Sequence, residues 1–138
     1  MSALGDAYLY NSGLIYAYAY GDLNAIAMGA IADGNVDADS FNTGDVYAFA
    51  YANDGTAAAF GVQTVAGDDA TLTSYGTIGA LAAGFYGATA IGALTDAVDF
   101  AGSYNYGDVY ALAYAFDGDP PGAHTAVLGL DQLDKIIQ

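Results

Sequence analysis

Cysteine, tryptophan, arginine and glutamate are absent from this 138-residue chain, and lysine and histidine occur once each, as Lys135 and His124. Without cysteine there are no disulfide staples, no thiol nucleophile and no thiolate-ligated zinc. With almost no cations the chain cannot neutralise phosphates, so nucleic acids and anionic membrane surfaces are excluded as natural partners. The scarcity of Glu, Lys, Arg and Gln removes the residues that usually cover the exposed faces of helices. No Gly-x-Ser-x-Gly, no Asp-Thr-Gly and no phosphate-cradling glycine loop with a lysine is present, and a histidine-based catalytic arrangement would have to use His124. The expectation is therefore a protein without enzymatic activity and without an organic cofactor.

What is present is narrow in kind. All 16 acids are aspartate, giving a formal net charge of −15. Alanine and glycine together supply 49 residues and tyrosine 13. At 55% hydrophobic the chain is too apolar for ordinary disorder, despite its charge.

The decisive feature is internal repetition. Residues 25–55 align with 88–118 at an offset of 63 without a gap, with 18 of 31 positions identical. Extended to 3–55 against 66–118, identity is 27 of 53. Each half divides again, because Gly13, Gly44, Gly76 and Gly107 open segments 13–43, 44–75, 76–106 and 107–138, preceded by a part-repeat at 1–12. Alanines recur four and six residues past each of these glycines, beginning with Ala17, Ala48, Ala80 and Ala111. A single domain over 1–138 is expected.

Within the segments, aromatic or leucine residues alternate with those alanines: Tyr16, Tyr18 and Tyr20; Tyr47, Phe49 and Tyr51; Tyr110, Leu112 and Tyr114. A period of two predicts strands with alanine on one face and aromatics on the other. Gly-Asp, Asp-Gly and Asn-Asp-Gly steps mark turns, and in the first segment strands are expected near 14–20, 25–32 and 36–41. Such a short all-β repeat predicts a solenoid of about four coils with equivalent residues stacked ~4.8 Å apart. The rival architecture is a β-sandwich made by duplicating a 63-residue half. The runs AIAMG at 25–29 and ATAIG at 88–92 resemble the AxAxG runs of trimeric autotransporter heads, which are left-handed β-rolls. That resemblance covers only these fragments, and the repeat length differs.

Residues 70–95 carry no charge and are long enough on paper to cross a bilayer. Their repeat counterpart 7–32 contains Asp22, and alternating Tyr and Ala is not the apolar–polar alternation of a membrane barrel, so no membrane insertion is expected. Aromatic ladders are expected to pack in the core or between subunits, with a flat carbohydrate- or ice-facing platform as a further use.

Aspartates supply the remaining chemistry. Asp33, Asp45 and Asp54 recur as Asp96, Asp108 and Asp117, all beside glycine or in turns. The simpler reading is that they bind nearby backbone N–H groups. The sharper one is that rows of them on neighbouring coils hold Ca²⁺, so that calcium or mild acid favours folding or assembly. At the far end Pro120-Pro121 breaks the pattern, and the tail LGLDQLDKIIQ offers a short amphipathic helix or a last strand. The functional expectation is a self-assembling structural protein, outside the cell or on its surface, polymerising head-to-tail. The alternative is a monomeric binding module for polysaccharide, ice or calcium.

Overall fold

Each repeat folds as three strands joined by tight turns. In the computed structural model, which describes residues 2–116 and 123–125, the strands are β1 (Ser2–Ala3), β2 (Ala7–Asn11), β3 (Leu14–Gly21), β4 (Asn24–Gly34), β5 (Ala38–Asn42), β6 (Asp45–Ala52), β7 (Thr56–Ala66), β8 (Asp69–Ser74), β9 (Ile78–Gly84), β10 (Gly87–Ala97), β11 (Phe100–Asn105), β12 (Val109–Ala115) and β13 (Ala123–Thr125). They form three sheets, in the orders β1-β4-β7-β10-β13, β2-β5-β8-β11 and β3-β6-β9-β12. All ten pairings among the described residues are parallel. The chain is a β-solenoid of about four turns spaced ~31 residues apart. A duplicated antiparallel sandwich is thereby excluded, because its consecutive strands would pair with each other rather than with their counterparts one coil away.

The ladder continues through the corners. Asp45 N–H donates to Gly13 O, Asn53 N–H to Gly21 O, Gly67 N–H to Gly34 O and Tyr106 N–H to Ser74 O, each bond joining one coil to the one before it. The first turn of the first coil lies at Asp22-Leu23, one residue past the expected Gly21-Asp22, and the second does not fall at the expected Asp33-Gly34. Strand β4 runs on through Gly34 and the chain turns at 35–37.

That longer strand is explained by its middle. Along β4, Ala25 and Ala27 are buried and Ile26 and Met28 exposed; past Gly29 the buried positions become Ala30 and Ala32. The alternation shifts by one residue at the glycine, so one strand presents inward side chains to two different partners. The same shift occurs at Gly61 in β7 and Gly92 in β10. These glycines are required for space. A Cβ on Gly61 would lie 2.3 Å from Gly92 O and 2.5 Å from Ile78 Cγ2, and one on Gly29 would lie 2.5 Å from Val46 Cγ1. A branched side chain of the following coil sits directly over each hydrogen.

Three inner layers result. The first half of the long strands packs on β3, β6, β9 and β12 through a cluster made only of alanine, including Ala27, Ala48, Ala59, Ala82 and Ala111. At the bend, Val46, Val62, Leu72 and Ile78 form a bulkier cluster with Ala30 and Ala93. Beyond it the long strands meet β2, β5 and β8 through Ala7, Ala32, Ala38, Ala66 and Ala70.

Residues 70–95 fold into β9, most of β8 and most of β10, not into a helix. Among the described residues no helix is long and apolar enough to cross a membrane. Strand β13 resumes the five-stranded sheet after the Pro120-Pro121 interruption, with Ala123 opposite Ala88. The tail beyond Thr125 and Asp117 lie outside the described residues.

Candidate functional site

The expected ladders exist, but their faces are the reverse of a buried aromatic core. Parallel pairing puts Tyr16 beside Tyr47, Tyr18 beside Phe49 and Tyr20 beside Tyr51, with Ala17 beside Ala48. The alanines point inward: Ala48, Ala80 and Ala111 are buried, and Ala17 packs against them. The aromatics point outward. Tyr16, Tyr18 and Tyr20 are about two-thirds exposed, Tyr47 and Phe49 half-buried, and Tyr51, Tyr110, Leu112 and Tyr114 exposed. The physical reason is separation. Two sheets whose inner faces carry only methyl groups approach more closely than the ~10 Å usual for stacked sheets, and no phenol ring fits between them.

The outer face of β3-β6-β9-β12 is therefore a broad aromatic surface. Tyr16 stacks on Phe49 with ring centroids 5.1 Å apart, and Tyr20 on Tyr51 at 5.6 Å and 6° between planes. The surface has one dip. In β9 the outward positions are Gly79, Leu81 and Ala83, where the neighbouring strands carry tyrosine, phenylalanine or leucine. Tyr47 and Tyr110 lean toward each other across it, with centroids 6.4 Å apart. A Cβ on Gly79 would lie 2.7 Å from the Tyr110 ring. Partial desolvation, helped by the hydrogen bond to Tyr47 and by the charges of Asp45 and Asp108, pushes the Tyr110 phenol above the ordinary tyrosine value.

A second outward row runs along the other side of the coil. Tyr10 stacks on Phe41 at 5.9 Å, Phe41 meets Tyr75 at 5.9 Å, and Tyr75 stacks on Tyr106 at 4.8 Å.

The aspartates are placed differently from the sequence expectation. A 63-residue offset spans two coils, so duplicated aspartates are not on adjacent rungs. Val65 stands between Asp33 and Asp96 in the ladder. Thr77 lies between Asp45 and Asp108, and its N–H donates to Asp45 Oδ1 at 3.0 Å. Asp54 is exposed in the β6–β7 turn, and its partner Asp117 lies outside the described residues. Among the described residues no three His, Cys, Asp or Glu side chains gather in a way that could hold a metal ion. Asp22 Oδ1 accepts from Asn53 Nδ2 of the following coil at 3.2 Å, a side-chain bond between stacked turns rather than a bond to nearby backbone.

One polar feature went unrecognised in the sequence. Asn11, Asn42 and Ser74 form a buried rung-to-rung chain: Asn11 Nδ2 donates to Asn42 Oδ1 at 2.8 Å, and Asn42 Nδ2 to Ser74 Oγ at 3.0 Å. Asn11, Ser74 and Asn105 also bond to the carbonyl two residues on, holding the turn into the next strand. The signal was there as a recurring Asn-x-Gly or Ser-x-Gly, at 11–13, 42–44, 74–76 and 105–107.

The chain matches no protein-family profile, no curated protein and no solved structure.

Proposed function

We propose that the protein is a structural subunit that polymerises head-to-tail, coil upon coil, into an extracellular filament, matrix fibre or surface layer. One observation carries this reading. Strands β3 and β12 lie at opposite ends of one sheet, each bonded along a single edge among the described residues, and they carry the same alternation. Set β12 of one copy beside β3 of the next, in the register used throughout, and the ladders continue: Tyr110 on Tyr16, Ala111 on Ala17, Leu112 on Tyr18, Ala113 on Ala19 and Tyr114 on Tyr20. Such a heterologous contact does not close, and it repeats without limit. Strand β3 carries none of the usual protections of an exposed edge: no proline, no lysine and no inward charge. The proposal assigns no reaction and no membrane insertion to the chain.

Electron microscopy and size-exclusion chromatography of the purified chain test it. Filaments are expected at high concentration and moderate salt, and Ala19→Lys, which plants an inward charge on the edge coil, is expected to abolish them while a cooperative melt persists. Monodisperse monomers across concentration and salt would overturn the proposal.

The outward aromatic rows favour a second reading, a monomeric binding module that uses the β3-β6-β9-β12 face for a neutral polysaccharide or ice. A stable monomer retained on a glycan matrix, or one that shapes growing ice, selects that reading over assembly.

A further inference from the structure

Among the ring contacts of the described residues, the Tyr75–Tyr106 pair is the closest, with centroids 4.8 Å apart and 12° between planes. The fold sets this geometry. Tyr75 directly follows β8 and Tyr106 directly follows β11 on the next coil, and the Tyr106 N–H donates to Ser74 O at 2.7 Å, so the two side chains leave the backbone one rung apart. Both rings are open to solvent, Tyr75 at 54% and Tyr106 at 68% exposure. Within their row the other neighbour of Tyr75 is Phe41, which has no hydroxyl. Elsewhere, Tyr20 and Tyr51 stack at 5.6 Å, and the Tyr20 hydroxyl already accepts a hydrogen bond from Asn53. Tyr47 and Tyr110 are farther apart and tilted by 43°.

We propose that Tyr75 and Tyr106 form an oxidative cross-linking site, at which a peroxidase-class one-electron oxidant joins the two phenols into a dityrosine bridge. Each phenol gives up one electron and one proton and becomes a phenoxyl radical. The two radicals couple through ring carbons ortho to the oxygens, forming one C–C bond. The hydrogen on each coupled carbon then moves through solvent to the phenolic oxygen and aromaticity returns. The net loss is two electrons and two protons; one hydrogen peroxide takes up both and becomes two waters. Holding the rings in contact makes coupling effectively unimolecular, which favours this pair over tyrosines that must meet by diffusion. The bridge would tie successive coils covalently in a chain that has no cysteine to do so. It forms within one molecule, so the inference stands whether or not the chain polymerises.

The test is to treat dilute protein with a haem peroxidase and hydrogen peroxide and to follow intact mass. The expected product is a monomer lighter by two hydrogens. Cleavage before aspartate is expected to release peptides 69–95 and 99–107 joined. Tyr75→Phe and Tyr106→Phe each keep a ring in the stack, so folding is preserved; circular dichroism checks this. Each is expected to lower the yield of joined peptide by about tenfold or more. Tyr86→Phe and Tyr104→Phe, which alter the other tyrosines on those peptides, are expected to leave it unchanged. The inference is overturned if either variant of the pair gives the wild-type yield, if the link maps to other tyrosines, or if oxidation yields only intermolecular dimers.

Discussion

Two of the three inner layers, the alanine half under β3, β6, β9 and β12 and the bulky bend beside it, are built on opposite principles. Where the long strands face β3, β6, β9 and β12, every buried side chain of the cluster is alanine. Where they bend, the interior is filled by Val46, Val62, Leu72 and Ile78, four of the largest fully buried side chains among the described residues. Each alanine removes little apolar area from water, so the thin half depends on backbone hydrogen bonds and on close approach of two flat sheets. The bend depends on side-chain volume, with glycine as the hole into which a branched residue of the next coil fits. One half should therefore reject enlargement and the other truncation.

The sharpest way to break this contrast is Leu72→Ala, which empties the bulky cluster and is expected to cost about 3 kcal/mol in a denaturant melt. A loss near zero would mean that the bend collapses freely and is not volume-supported. The reciprocal change is Ala59→Leu, at a position with no exposure, expected to cost about 2–3 kcal/mol by forcing the sheets apart. Wild-type stability for that variant would end the account of a thin layer. Gly61→Ala probes the junction between the halves. Backbone and Ile78 both stand inside contact distance of the new methyl, so a cost of about 2 kcal/mol is expected in the same assay.

Polar rungs sharpen the comparison at lower energy. Thr64 Oγ1 donates to Ser40 Oγ at 2.7 Å, whereas Thr95, its ladder neighbour, has a buried hydroxyl with no partner among the described residues. Thr64→Val is expected to cost about 1–2 kcal/mol, because it strands Ser40, while Thr95→Val is expected to be neutral or stabilising by up to about 1 kcal/mol. Equal effects at the two sites would contradict the hydrogen-bond assignment. The smallest effect concerns the aspartates. Calcium is expected to raise the melting temperature of this −15 chain only slightly above monovalent salt of equal ionic strength, since Val65 and Thr77 keep duplicated carboxylates two rungs apart. A large excess for calcium, reversed by chelator, would show specific binding.

The sequence made the strands, the parallel stacking interval and the all-β class legible, because period two and the 63-residue offset are direct imprints of pleat and coil. It left the choice of inner face ambiguous, since tyrosine and alanine both count as apolar. A clue was nevertheless present. The positions four and six past each opening glycine are alanine in all four segments, while the interleaved positions range from Gly79 through Leu81 to Tyr47 and Phe49. A close-packed interior does not accept that spread of volumes, so the varying face had to be the solvent face. The phase shift at Gly29 was not legible, because an alternation that slips by one residue looks like an ordinary break. For the same reason the turn expected at Asp33-Gly34 was placed too early. The aspartate rows were misjudged for a simpler cause: Asp33 and Asp96 were paired across the 63-residue offset, which spans two coils and leaves Val65 between them.

That double coil rests on one residue. The turn between β3 and β4 is Asp22-Leu23 and the one between β9 and β10 is Phe85-Tyr86, whereas the turn between β6 and β7 is Asn53-Asp54-Gly55. The three corners among the described residues thus alternate short, long, short, and this alternation gives the described coils a parity. A chain lengthened by whole 63-residue units keeps that parity and grows by about 10 Å each time, two rungs of the ladder. A chain lengthened by a single coil sets two like corners against each other. Length in this architecture is counted in even steps.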